Sequence, residues 1–202
     1  MAKEKKSDKD LAKWKRKKWF PIVAPSMFGN MVVGETLVLT PEQMIGKPLV
    51  SNLMGLTNDM KKQNINVKFV VTSIKDQTGL AELVKYEISP SSIRRLVRRK
   101  HSRIDCSNVY ETKDNRKVKI KTLFITKVKV KRSIGTALRK QSQKLLTEHL
   151  KGLQYEDFCK ELISGKLNDE MKRNLSKTYP LRICDIRVME LQKKTENANS
   201  DN

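Results

Sequence analysis

Two runs of alternating hydrophobicity, joined by the polar turn DQTG, set the first constraint on how this chain folds. In INVKFVVTSI (65–74), Ile65, Val67, Phe69 and Val71 recur at every second position, the period of a strand with one face buried. GLAELVKYEIS (79–89) then places Leu80, Val84, Tyr86 and Ile88 on one face, so the pair reads as a β-hairpin. GETLVLT (34–40) and KPLVSNLMGL (47–56), bounded by Gly and Pro, read as further strands. RKVKIKTLFITKVKVKR (116–132) reads as a long strand in which Val118, Ile120, Val128 and Val130 alternate with lysines.

The second half changes period. KRSIGTALRKQSQKLLTEHLKG (131–152) spaces Leu138, Leu145, Leu146, His149 and Leu150 as a helix does and stops at Gly152. YEDFCKELISGKL (155–167) predicts a short helix with Phe158, Leu162 and Ile163 on one side, broken at Gly165. NDEMKRNLSKT (168–178) opens on Asn168 and Asp169, a capping signal with acids in the first turn. YPLRICDIRVMEL (179–191) returns to alternation through Leu181, Ile183, Ile186 and Val188, which predicts a closing strand. The fold class is α+β: a curled β-sheet or β-barrel-like domain with C-terminal helices. No linker or repeat divides it. The expected organisation is a basic arm over 1–18, disordered when free, one α+β domain over 19–192, and a polar tail over 193–202.

Charge narrows the function. The chain of 202 residues carries 43 Lys and Arg against 22 Asp and Glu, a net of +21. Residues 1–18 contribute only +6, so the folded part is strongly basic too. Self-repulsion on that scale opposes compaction, and a polyanionic partner relieves it. No apolar run is long enough to span a bilayer and no signal-type h-region opens the chain, so no membrane partner is expected. Cys106, Cys159 and Cys184 lie far apart with no CxxC or Cys/His cluster, which predicts reduced thiols, an intracellular setting and no metal.

Four basic groups stand out. KWKRKKWF (13–20) holds Lys13, Lys15, Arg16, Lys17 and Lys18 for phosphates and Trp14 for stacking on a base, while Trp19 reads as an anchor in the core. SPSSIRRLVRRKHSRI (89–104) reads as a helix opened by Pro90. Ile93, Leu96 and Val97 form its apolar stripe, and Arg94, Arg95, Arg98, Arg99 and Lys100 crowd the rest. Arg94 with Arg98, and Arg95 with Arg99, are then like charges at i,i+4 that a polyanion would screen. Lys117, Lys119, Lys121, Lys127, Lys129 and Lys131 form a comb at period two, equally suited to phosphate contact and to protecting a sheet edge. Arg132, Arg139, Lys140 and Lys144 form the fourth group. Lys129, Lys131, Arg132, Arg139 and Lys140 join the arm and the arginine segment as candidate RNA-binding residues.

Catalytic constellations are missing. Neither His101 nor His149 sits in a nucleophile or metal pattern, and no Gly-rich phosphate loop is present. The residues point to a non-enzymatic binder without cofactor, one that reads backbone and shape more than bases. A free-standing DNA- or RNA-binding regulator, with the 89–104 segment in a groove, accounts for the same charge.

WFPIVAPSMFGN (19–30), GETLVLT (34–40), PLVSNLMGLTND (48–59) and KTYPLRICDIRVMEL (177–191) follow one another in an order that resembles the archaeal and eukaryotic small-subunit ribosomal protein family called S-three-A-e, or eukaryotic S-one. Trp19, Phe20, Ile22, Ala24, Pro25, Met27 and Phe28 match its opening motif. Gly34, Glu35, Thr36 and Val38 match the next step, and Tyr179, Pro180 and Leu181 the closing one. The resemblance implies a barrel-like domain with helices in the cytoplasmic small ribosomal subunit. Its partners there would be small-subunit rRNA and neighbouring ribosomal proteins in the platform region. The rRNA 3′ end lies close by, and mRNA near its exit is a further candidate contact. Without the longer C-terminal extension of eukaryotic members, the chain looks like the compact archaeal form.

Overall fold

The computed structural model describes residues 16–192, so most of the basic arm and the polar tail lie outside the described residues. The chain divides after Val84 into two compact units. The first contains strands β1 (Lys18–Val23), β2 (Val32–Val38), β3 (Pro48–Asn52) and β4 (Ile65–Lys75), a short helix α1 (Leu53–Thr57), and the first part of β5 (Thr78–Ile88). β1 and β2 are antiparallel, β3 and β4 likewise, and β1 runs parallel to β5 with Ile22 beside Gly79 and Val23 beside Leu80.

The hairpin expected between 65 and 89 is present as β4 and β5. Asp76 and Gln77 form its two-residue turn with φ of 45° and 65°, the left-handed pair of a type I′ turn whose twist matches the strands it joins. Val67, Phe69 and Val71 are buried as expected. On β5, however, Gly79, Ala81 and Leu83 face the core, and Leu80 is 36% exposed. The inward face shifts by one position before reaching Tyr86. A Cβ at Gly79 would stand 3.2 Å from the Val71 Cγ1 atom, so the smallest residue sits where β1, β4 and β5 crowd together.

Two expectations for this unit are overturned. Trp19 is 65% exposed rather than a core anchor. Phe20, Ile22 and Ala24 are the buried set, and the pleat sends Trp19 to the opposite face. The segment 47–56 is not strand throughout: the Asn52 side chain accepts the Met54 amide at 2.9 Å and starts α1. An Asn side chain that captures a nearby amide competes with the ladder and ends the strand there.

The second unit carries the remainder of β5 and the antiparallel set β6 (Arg103–Glu111), β7 (Lys117–Thr126) and β8 (Leu181–Leu191), in the order β5-β8-β7-β6. It also contains helices α2 (Pro90–Leu96), α3 (Arg132–Gly152), α4 (Tyr155–Ser164) and α5 (Lys166–Ser176). α3 packs on β6 and α5 on β8, and Leu138, Leu146, Leu150, Phe158, Leu162, Met171 and Leu175 are buried. On the other sheet face, Ile93 of α2 packs on Leu123 and Ile125 of β7, with Ile88, Leu96, Val97 and Ile183 around them.

The α+β class holds, with strands followed by helices and a last strand, but among the described residues no strand pairing closes the sheet into a barrel. β2, β3 and β6 each have a strand neighbour on one side only. The expected 116–132 strand ends at Thr126, so the lysine comb splits, and Val128 is 61% exposed. Asn168 does not cap α5, which begins at Lys166. Its side-chain oxygen instead accepts the Ile186 amide of β8 at 3.3 Å. Among the described residues no helix is long and apolar enough to cross a membrane.

Candidate nucleic-acid interface

Of the residues singled out for RNA, Lys13, Trp14 and Lys15 lie outside the described residues. Arg16 and Lys18 are exposed and Lys17 is half-buried at the start of β1. Arg94 and Arg95 occupy the last turn of α2. That helix stops at Leu96, and Arg98, Arg99 and Lys100 follow it in an exposed turn. The i,i+4 crowding expected on one long helix is therefore absent.

The turn carrying Arg98, Arg99 and Lys100 is laced to the segment after β7. Thr126 donates its amide to the Ser102 carbonyl at 3.1 Å, and the Val130 amide reaches the Ser102 hydroxyl at 3.1 Å. The Thr126 hydroxyl bonds the Val128 carbonyl at 2.6 Å, and the His101 ring meets the Lys127 carbonyl at 2.9 Å. Two basic strings about thirty positions apart in sequence are thus held side by side. Arg98, Arg99 and Lys100 stand next to Lys127, Lys129 and Lys131, all exposed, with Arg132 opening α3.

β8 adds arginines that its pleat would otherwise have sent elsewhere. Its pairing with β7 slips twice, once beside Thr122 and once beside Thr126, and the residues skipped are Arg187 and Arg182. A bulge re-aims the extra side chain. Arg182 Nη1 reaches His101 Nε2 at 3.0 Å. Arg187 reaches towards the Asp105 carboxylate at 3.9 Å, which Arg103 also grips through two bonds of 2.7 and 3.2 Å.

These last groups border a cleft of about 280 Å³ on the sheet face that α2 leaves uncovered, with Lys85, Arg94, Arg103, Lys121 and Arg187 around it. Glu87 pairs with Lys85 at 2.6 Å, and Asp105 is shared by the two arginines. Arg94 and Lys121 form no ion pair among the described residues. The cleft thus combines positioned guanidinium forks with two uncommitted cations, an arrangement that suits phosphate oxygens.

Of the fourth basic group, Arg139 donates its Nε hydrogen to the Asp105 carbonyl at 3.2 Å and ties α3 to β6. Lys140 and Lys144 continue outward along α3 to Lys151, bordering a shallow depression of about 460 Å³. Sequence reasoning did not single out Lys85, Arg103, Arg182 or Arg187 as binding residues, and it left Lys121, in the lysine comb, open between phosphate contact and edge protection. A signal existed for Arg182 alone, in the broken alternation where three positions, not two, separate buried Leu181 from buried Cys184.

Buried polar chemistry in this unit is structural. Burial, helped by the Asp185 carboxylate, pushes the Cys184 thiol up to about 12. Burial also raises the Asp185 carboxyl above its ordinary value, with Lys172 partly opposing it. His149, one of the residues at helical spacing on α3, is half-buried, its Nε2 3.4 Å from Glu161 of α4 and 3.7 Å from Glu170 of α5.

Residues 3–195 match the model of the Ribosomal S3Ae family. The chain is 32% identical over 185 residues to small ribosomal subunit protein eS1 of Saccharolobus islandicus (strain L.S.2.15 / Lassen #1), spanning 92% of this chain and 89% of that protein. It is 33% identical over 181 residues to the eS1 protein of Sulfurisphaera tokodaii, spanning 90% and 94%. With the eS1 protein of Nanoarchaeum equitans it shares 32% identity over 190 residues, spanning 94% and 96%.

Proposed function

The chain belongs to the Ribosomal S3Ae family, and from that premise we propose that it is a structural, non-enzymatic constituent of the small ribosomal subunit, cytoplasmic and bound to rRNA. The observation that carries this reading is the lacing of Ser102, Thr126 and His101, which holds Arg98–Lys100 beside Lys127–Arg132. A folded chain gains nothing from pressing like charges together unless a polyanion lies against them. The bulged arginines and the open cleft extend the same surface, and the basic segment 1–18 adds an RNA-binding arm to the folded body. Affinity then comes from neutralised phosphates and from shape, with few base-edge contacts. Within the subunit, the family resemblance favours the platform region near the rRNA 3′ end and the mRNA exit, beside neighbouring ribosomal proteins.

Sedimentation tests the assignment. The full chain, mixed with small subunits lacking it, should move with them through a sucrose gradient. Remaining at the top of the gradient would indicate a free-standing binder. Filter binding to small-subunit rRNA over a salt series tests the surface. Replacing Arg98, Arg99 and Lys100 by Gln should make the slope of log affinity against log salt shallower, by roughly 0.7–0.9 for each phosphate no longer neutralised. An unchanged slope would mean that these side chains face only water.

A further inference from the structure

Lys119 and Lys121 sit in the middle of a sheet, where a lysine protects no edge. β7 is bonded along its length to β6 on one side and to β8 on the other, so the edge-guarding role of a lysine comb does not apply to them. Val118, Ile120 and Thr122 are buried, and the pleat turns the two lysines, both half-buried, to the opposite face. Lys121 borders the cleft beside α2, and Lys119 stands one step further along the same face, across from Val109 of β6 and Glu190 of β8. Two of the carboxylates on this face are already committed: Glu87 is held by Lys85 at 2.6 Å and Asp105 by Arg103 at 2.7 Å. That leaves Glu190 against Lys119, Lys121 and Arg94, none of which forms an ion pair among the described residues.

We propose that Lys119 and Lys121 bind successive phosphates of one RNA strand that runs along β7 over the open sheet face, with Arg94 taking a phosphate at the α2 end of the same path. This rests on the rRNA-binding reading above and gives it a contact other than the turn at Arg98–Lys100. Neighbouring same-face positions on a strand are about 7 Å apart, close to the step between adjacent phosphates of one nucleic-acid strand. Like charges set that close repel each other, and half-burial removes part of the water that would screen them. A strand of phosphates relieves both. The face offers side-chain tips only, because the backbone groups of β7 are used by β6 and β8. An added peptide strand therefore finds no ladder to join, whereas phosphate oxygens need only the cations.

The test uses the full chain and small-subunit rRNA. In filter binding over a salt series, Lys119→Gln combined with Lys121→Gln should make the slope of log affinity against log salt shallower by roughly 1.4–1.8, the share of two phosphates. Replacing both lysines by Arg should keep the wild-type slope, and the melting temperature of the Gln variant should hold. Acetylation of the wild-type chain, read lysine by lysine in a mass spectrometer, needs no variant. Both lysines should be modified in the free chain and protected once rRNA is bound. An unchanged slope with both lysines unprotected, while rRNA still binds, would overturn this contact alone. Protection seen in assembled subunits but not with free rRNA would give the face to an acidic neighbouring protein and overturn the RNA contact. Failure of the wild-type chain to bind any rRNA would overturn both the contact and the reading on which it rests.

Discussion

His101 bridges two segments that the sequence keeps apart. Its Nδ1 lies 2.9 Å from the Lys127 carbonyl oxygen. A carbonyl can only accept, so the ring proton sits on Nδ1, leaving Nε2 to accept from Arg182 Nη1 at 3.0 Å. One neutral imidazole thus orients an arginine with one nitrogen and anchors a lysine-rich segment with the other.

His101→Ala should therefore affect binding more than folding. The ring is only half-buried, so losing its bonds should cost about 1 kcal/mol of stability. Binding to small-subunit rRNA should weaken as the two basic strings lose their alignment. His101→Asn, which can still donate to the Lys127 carbonyl, should recover part of the affinity. Binding unchanged in His101→Ala would show that Ser102 and Thr126 suffice to hold the surface together.

Phe69 lies fully buried mid-strand on β4 and meets Phe28 edge to face, with ring centres 5.6 Å apart and planes at 84°. Phe69→Ala should cost about 3–5 kcal/mol in urea unfolding, through lost transfer energy and the cavity left behind. A loss below about 1 kcal/mol would contradict this packing.

Gln77 occupies the second central position of the β4–β5 turn with φ of 65°, a conformation that an L side chain adopts at a cost of roughly 1 kcal/mol. Gln77→Gly creates the Asp-Gly pair favoured in type I′ turns. After the greater unfolded-state freedom of glycine is deducted, a net gain of about 0.5 kcal/mol should remain, visible as a small rise in the denaturant midpoint. A lower midpoint would mean that the turn is of another type.

What was legible in the sequence was local, and what was missed needed a partner strand or a side-chain bond. The β4–β5 hairpin could be read because alternation and turn lie within twenty-five positions. The three C-terminal helices could be read from their apolar spacing and from Gly165. α1 was hidden because a single Asn52 side chain ends β3. Trp19 was misjudged by its identity, although the parity of Phe20, Ile22 and Ala24 already turned it outward. The cleft could not be assembled in advance, since Lys85, Lys121 and Arg187 come from β5, β7 and β8 and meet only through register and a bulge.

Asp185 yields a pH-dependent prediction. Burial raises its folded-state carboxyl above the ordinary value, more than Lys172 lowers it, and Asp169 adds to the rise. A raised carboxylate pKa means that the folded state binds the proton more readily than the unfolded chain does. The charged form therefore weighs against folding at neutral pH, and that penalty fades as pH falls through the folded-state value. Asp185→Asn removes the charge and keeps the shape. Its melting temperature should exceed that of the wild type at neutral pH, and the gap should close as pH falls from the raised folded-state value to the ordinary carboxylate value. A variant less stable than wild type at neutral pH would show that attraction to Lys172 outweighs the burial of the carboxylate.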